Sequence, residues 1–305
     1  MDLELSPDQV DLQAGVRKLC EGRFPMETVR GGFTRDGWQD LVDAGVFSLR
    51  LPEAAGGVGL GAAEAVLVFE ELGRACVPGP LVASELVGAS DVVGLVERGD
   101  TSPWVVEHLD VLDRLLVVDG DGVFAVDPHA IAGERVERPL DALTPTWRVD
   151  HLPAGERVGD AAPFRLEGAL LTAALQLGLS GAVLDIAVAY AKERQQFDKP
   201  IGSFQAVKHM LADMLVRTEV ARAAVYAAGV TVDDPSVGDP ARAVAAAKVT
   251  AGEAAIRNGK AAIQVHGGMG FTWEVDVHFF LKRAWVLDTH FGTADHHSER
   301  LATSL

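Results

Sequence analysis

Arg194-Gln195-Gln196-Phe197-Asp198-Lys199-Pro200-Ile201, with Phe204-Gln205 close behind, and Gln264-Val265-His266-Gly267-Gly268-Met269-Gly270-Phe271 are the stretches on which the reading of this 305-residue chain turns. Each follows a long helical pattern. Before the first, the apolar run from Ala169 to Ala191 carries Gln176, Asp185 and several glycines. These interrupt it too often for the roughly 18 uninterrupted apolar residues of a membrane span, so it reads as a core helix. Before the second, Asp239-Pro240 supplies an N-cap and a proline at the first helical position. An alanine-rich stretch then runs to Val265, and Gly267-Gly268 stops it. Ser203 reads as the cap of an intervening helix reaching about Ala228. Long helices with small residues and mixed apolar faces predict an antiparallel four-helix bundle over 161–305.

Working outward, Ser6-Pro7 opens a helix that Gly22 closes after Lys18. A short helix follows from about Asp36 to Ala44. After the loop Leu51 to Gly61, a third carries Ala65, Val66, Phe69 and Leu72 on one face. Residues 1–102 therefore read as a helical domain. In the next stretch, 103–160, the texture changes to short β-type runs: Val105-Val106, Leu115-Leu116-Val117-Val118 and Val123-Phe124-Ala125-Val126, divided by Asp-Gly and Pro turns. The expected class is mainly α with a small β segment in the middle.

The two signatures together resemble the acyl-CoA dehydrogenase family. Trp38-Gln39-Asp40-Leu41, Leu51-Pro52-Glu53, Gly56-Gly57 and Glu70-Glu71-Leu72-Gly73-Arg74 are similar to its N-terminal pattern, so the resemblance covers most of the chain. It implies FAD as cofactor. In the family, the arginine of the first signature contacts the pyrophosphate of an FAD bound mainly to a neighbouring subunit, and Arg194 matches it. A guanidinium offers a diphosphate fixed, charge-assisted donors. The resemblance extends the contact role to Gln196, Phe197 and Gln205. It also implies that Gln264, Val265, Gly267 and Gly268 bring backbone to the adenosine end, where glycine removes a Cβ obstacle, with His266 packing on the adenine side. Taken alone, Arg194 reads as a helix-end arginine in a surface salt bridge and Gly267-Gly268 as a helix C-cap.

Three departures stand out. The family's base lies in a Tyr-Glu-Gly-Thr segment, which aligns with His290-Phe291-Gly292-Thr293, and phenylalanine accepts no proton. The family's alternative base position falls on Gly168, with Glu167 about 100° away around the helix, and the position of a substrate-arranging arginine is Ala169. The middle region has no counterpart of the Thr-Glu-Pro segment and Gly-Ser pair that touch the flavin. What remains serves a neighbour's flavin. The resemblance therefore implies a non-catalytic subunit of a heteromeric α2β2 acyl-CoA dehydrogenase. A homologous subunit carries the catalytic Glu, the flavin-ring pocket and most of the acyl-CoA site, and an electron-transferring flavoprotein accepts the electrons. Heteromeric members associated with actinobacterial steroid degradation imply a steroid side-chain CoA substrate. Two alternatives stay open: a self-sufficient dehydrogenase using Glu167 or Asp295, and a flavin-free scaffold.

Composition narrows the rest. A formal net charge of −17 argues against a nucleic-acid partner, which needs Lys and Arg to neutralise phosphates. The acidic start, Met1 to Pro7, lacks the charged and apolar regions of a secretory leader. Two cysteines, Cys20 and Cys76, make no disulfide framework and suit a reduced cytoplasmic setting. His290, His296, His297, Asp288 and Asp295 match no closed zinc spacing, so no metal is expected. The glycines from Gly56 to Gly61 do not fit a dinucleotide-binding loop.

Overall fold

Two glycines decide how the central helices meet. In the computed structural model, α4 (Ala62–Arg74) crosses α6 (Ala161–Glu193) so closely that a Cβ on Gly73 would lie 2.1 Å from the Leu175 carbonyl oxygen. A Cβ on Gly178 would lie 1.9 Å from the Glu70 carbonyl oxygen. Only glycine lets these backbones touch.

The structure describes residues 4–303 other than Ala89. Met1 to Leu3, part of the acidic start, lie outside the described residues. The N-terminal helices are α1 (Pro7–Arg23), α2 (Met26–Val29), α3 (Arg35–Asp43), α4 and α5 (Leu81–Val87). Ser6 caps α1 as its sequence predicts, accepting from Gln9 N at 3.2 Å while the Gln9 side chain accepts from Ser6 N at 3.0 Å. The strands are β1 (Val93–Glu97), β2 (Trp104–Glu107), β3 (Arg114–Asp119), β4 (Gly122–Val126), β5 (Glu134–Arg135), β6 (Thr146–Val149) and β7 (Glu156–Asp160). They form two small sheets, ordered β1-β3-β4-β7 and β2-β6-β5. β1 and β3 run parallel, with Leu95 opposite Leu116, and the other pairs run antiparallel.

After α6 come a two-strand hairpin, β8 (Gln195–Gln196) and β9 (Lys199–Pro200), then α7 (Gln205–Asp233), α8 (Pro240–His266), α9 (Val277–Thr289) and α10 (Ala294–Thr303). A buried network pins α6, α7 and α8 together: Asn258 Nδ2 donates to Ser180 Oγ at 2.8 Å, to Thr218 Oγ1 at 3.0 Å and to the Met214 carbonyl at 2.9 Å.

Several local expectations need correction. β1 lies inside the stretch read as a helical domain, because it finds its partner 21 residues later in β3. Ser203 belongs to a 3-10 turn, and Phe204 precedes α7 with no side-chain cap. α7 continues past Ala228 to Asp233, whose carboxylate accepts from Ala62 N at 2.7 Å and Ala63 N at 2.8 Å and so caps α4 from a distant part of the chain. α6 does hold an 18-residue window apolar enough to cross a membrane, and 83% of that window is buried within the protein, as a core helix requires. Cys20 and Cys76 are both buried, and burial pushes their thiols up to about 12.

Gly178→Ala drives a Cβ into backbone and should cost more than about 3 kcal/mol, beyond ordinary overpacking. Gly15→Ala, in α1 where a Cβ meets nothing within 4 Å, should gain about 0.5–1 kcal/mol from helix propensity. Denaturant midpoints at unchanged slope measure both.

Candidate functional site

The two signatures converge on one end of the bundle. Tyr190, a turn before the end of α6, stacks on His266 at the end of α8, with ring centroids 4.1 Å apart. His266 is buried against its own chain, its Nδ1 2.7 Å from the Ala262 carbonyl, so it packs internally. Around this contact Arg194, Gln196, Gln205 and Gln264 are exposed, and among the described residues their side chains have no hydrogen-bond or ion-pair partner. The helix-end salt bridge expected of an isolated Arg194 is therefore not made. The β8–β9 turn places Phe197 and Asp198 in the left-handed region, at φ of 53° and 61°, and leaves Phe197 84% exposed. Val265 is buried and can offer an outside ligand only its backbone. Gly267 has a φ of 62°, and a Cβ on Gly267 or Gly268 would meet nothing within 4 Å, so both readings of the pair hold: it ends α8 and leaves backbone open. Unpaired donors, an outward aromatic and bare backbone suit a diphosphate-bearing dinucleotide.

Beside Leu175, near the middle of α6, lies a cavity of about 310 Å³. Its walls come from α5 (Leu81, Ala83), β1 (Leu95), α6 (Leu175) and α9 (Val286), and Phe291 closes one side. A Cβ on Gly168 would lie 2.3 Å from Phe291 Cε1. The Phe291 ring therefore fills the space above Gly168, so one aromatic side chain occupies both positions at which the resemblance places a base. Phe291 adopts φ 55°, unusual for an aromatic residue. Its carbonyl accepts from His297 Nε2 at 2.9 Å. Lys248 Nζ, fully buried, donates to the Leu287 and Asp288 carbonyls at 3.1 and 3.3 Å, fixing the end of α9 just before it. Burial pushes His297 down to about 4 and Lys248 down to about 8.

Polar groups in the cavity wall were not legible in the sequence. His290 donates through Nε2 to Glu107 Oε1 at 2.9 Å, joining α9 to β2. Burial raises the Glu107 carboxyl, but the charge and hydrogen bond of His290 outweigh it and hold the group below its usual range. Arg283 pairs with Asp141 at 2.5 Å and donates to the Val77 carbonyl at 3.1 Å. Burial pushes neighbouring His108 down to about 4. No local pattern flags these pairs, since their partners lie 183 and 142 residues apart.

Glu167 and Asp295 do not line the cavity. Glu167 pairs with Arg50 at 2.7 Å, and Asp295 is exposed in the first turn of α10. Buried Glu85, whose oxygens have no partner, lies near the same pair: burial raises it to about 8, with Arg50 opposing and Glu167 adding to the rise. No cluster of His, Cys, Asp or Glu able to hold a metal occurs among the described residues.

This fold, with its signature-bearing bundle end, defines a flavin-dependent oxidoreductase class. Residues 6–94 match the acyl-CoA dehydrogenase N-terminal domain and residues 166–305 the C-terminal domain, and the chain belongs to that family. It is 33% identical to acyl-CoA dehydrogenase IpdE2 of Mycolicibacterium smegmatis, over 92% of this chain and 93% of that protein. It is 35% identical to IpdE2 of Mycobacterium tuberculosis, over 83% and 81%. Among solved structures, a variant of the Tcur3481-Tcur3483 steroid ACAD matches with TM-score 0.80 and 26% identity over 97% of each chain. The ChsE4-ChsE5 complex of Mycobacterium tuberculosis shares the fold, with TM-score 0.81 and 24% identity over 100% of this chain and 98% of that one.

Two outcomes test this geometry. Gly168→Leu should destabilise the wild type but much less so the Phe291→Ala background, with a coupling of about 0.5–3 kcal/mol in a double-mutant cycle. Glu85 binds its proton in the fold up to about pH 8 but releases it near 4.5 when unfolded, so its contribution to stability falls as pH rises from 4.5 to 8. Glu85→Gln should therefore gain on the wild type across that window, by about 1.4 kcal/mol per pH unit at most, read from denaturation at a series of pH values.

Proposed function

We propose that this chain is the non-catalytic, FAD-completing subunit of a cytoplasmic α2β2 acyl-CoA dehydrogenase that desaturates the α,β bond of a steroid-derived acyl-CoA. The observation that carries the reading is the Phe291 ring filling the space over Gly168 while the unpaired donors around Arg194 stand at the far end of the same helix. Gly168 and Arg194 are separated by about 39 Å at 1.5 Å per residue. This separation supports a division in which the Arg194 end serves a cofactor whose flavin ring is held by the partner subunit. The relatives named for steroid chemistry and for two-component complexes support the same reading.

Bound FAD would supply the hydride acceptor for the β-carbon of the thioester. This chain's part is to bind and orient. The Arg194 guanidinium offers charge-assisted donors to the diphosphate, Gln196, Gln205 and Gln264 offer amides, exposed Phe197 shields the site from water, and Gly267-Gly268 present backbone without side chains. The homologous partner supplies the carboxylate that removes the α-proton, and an electron-transferring flavoprotein takes the electrons onward.

The chain purified alone should carry little flavin, and co-expression with the homologous subunit should give a yellow complex with one flavin per pair of unlike subunits. Arg194→Ala should weaken flavin retention in that complex by about ten- to a hundredfold, the worth of a hydrogen bond to a charged group, and Arg194→Lys should restore only part of it. Absorbance after serial dilution reads both. Stoichiometric flavin on the isolated chain would point to a self-sufficient enzyme, and a colourless complex to a scaffold.

A further inference from the structure

Phe291 closes one side of the cavity beside α6, yet about 310 Å³ of space remains, and an apolar cavity of roughly 150 Å³ already holds a molecule the size of benzene. Most of the wall is aliphatic: Leu81, Val82, Leu95, Val96, Leu175 and Val286. Its polar members are mostly engaged. Glu97 pairs with Arg165 at 3.1 Å, Thr144 Oγ1 donates to Asp141 at 2.7 Å, and Thr289 Oγ1 donates to the Val286 carbonyl at 2.8 Å. Arg283 Nη2 and His108 Nδ1 lack partners but have almost no accessible surface, so they do not face the space. The pair of Glu107 and His290 differs. Its internal hydrogen bond uses Oε1 and Nε2, and the two side chains stay 22% and 27% exposed. Glu107 Oε2 and His290 Nδ1 have no partner among the described residues, and neither is sealed off as the Arg283 and His108 atoms are.

Both of these open atoms are acceptors. The Glu107 carboxyl, which burial raises but His290 and Arg283 hold in its charged form, has no proton to give. The neutral His290 ring keeps its proton on Nε2, where Glu107 accepts it, so its lone pair stands on Nδ1. The donors around the pair, on Thr144, Thr289 and Arg283, are turned to acceptors of the protein itself. A ligand carbonyl would therefore face lone pairs, and a carboxylate would face a like charge. An ammonium would have to shed its water and approach the Arg283 guanidinium in the same wall. A hydroxyl meets none of these costs, because the proton it brings is what the pair lacks.

We propose that this cavity is a binding site for a small uncharged molecule with an apolar body and one hydroxyl group, which donates to the pair of Glu107 and His290. The site shares no residue with the cofactor surface around Arg194, so it stands independently of the FAD-completing reading. No bond is made or broken there: the ligand is held by its apolar body and oriented by its hydroxyl.

Three probes of one shape test it on the full chain: α-methylbenzyl alcohol, acetophenone and α-methylbenzylammonium, titrated with observation of ligand saturation transfer and of the ring-nitrogen resonances of labelled histidines. The alcohol should bind at least about tenfold more tightly than acetophenone, the lower worth of a hydrogen bond to a charged group. It should also shift the His290 ring nitrogens, which acetophenone leaves in place. The ammonium should bind less tightly than the alcohol. Glu107→Gln keeps the shape of the side chain but adds a donor and removes the charge, and should erase the advantage of the alcohol over the ketone. Val286→Trp, at a half-buried wall position, should exclude both. Equal binding of alcohol and ketone, tightest binding of the ammonium, His290 nitrogens unmoved by the alcohol, alcohol retained by Val286→Trp, or no binding of any of the three would each overturn the proposal. Should either variant fail to fold, the three-probe comparison and the nitrogen spectrum of the wild type decide by themselves.

Discussion

The contact of α4 with α6 through Gly73 and Gly178 is the constraint from which the remaining geometry follows. Backbone against backbone leaves no slack, so α6 is fixed in both depth and rotation. Its 33 residues then act as a strut through the molecule. One end packs Gly168 against the Phe291 ring, the middle joins the Ser180, Thr218 and Asn258 network, and the other end leaves Arg194 exposed. A helix has a fixed rise, so the separation between cavity and cofactor surface is set by sequence spacing and cannot be closed by side-chain movement.

At the cavity end, Phe291 sets what the wall requires of its neighbours. A buried carboxylate needs hydrogen-bond partners or a bound substrate to remain tolerable. A phenyl ring needs only contact, and Phe291 obtains it from Gly168 and from Phe164, 6.2 Å away between ring centroids. The strain of its left-handed backbone is held from both sides, by His297 on its carbonyl and by Lys248 on the end of α9. The polar groups beside the cavity stand in pairs, Glu107 with His290 and Arg283 with Asp141, in which each charge has its counterpart.

The sequence was most informative where the determinants are local. Ser6 and Asp239 cap their helices as read, and the runs at 115–118 and 123–126 are strands paired with each other. The same reasoning failed at Ser203, where the chain prefers a turn that seats the β8–β9 hairpin, and at Asp233, whose capping partner is 171 residues away. β1 was missed because its pairing is with a strand beyond the next one, and alternation alone cannot reveal that. At the site, the signatures could be found as strings, but that Phe291 and Gly168 share one volume, or that Val265 and His266 face inward, depends on how three helices cross. The wall pairs have no sequence pattern at all.

Both thiols of this chain are buried and held almost wholly protonated at neutral pH, so neither offers a reactive thiolate to an electrophile. The protein is thus already a silent background for site-directed labelling. A single cysteine introduced beside the outward-facing Phe197 would be the one thiol that a maleimide or a cross-linker could capture. Whatever molecule stands across that turn in the assembled state could then be trapped covalently and identified by mass, without altering any other residue.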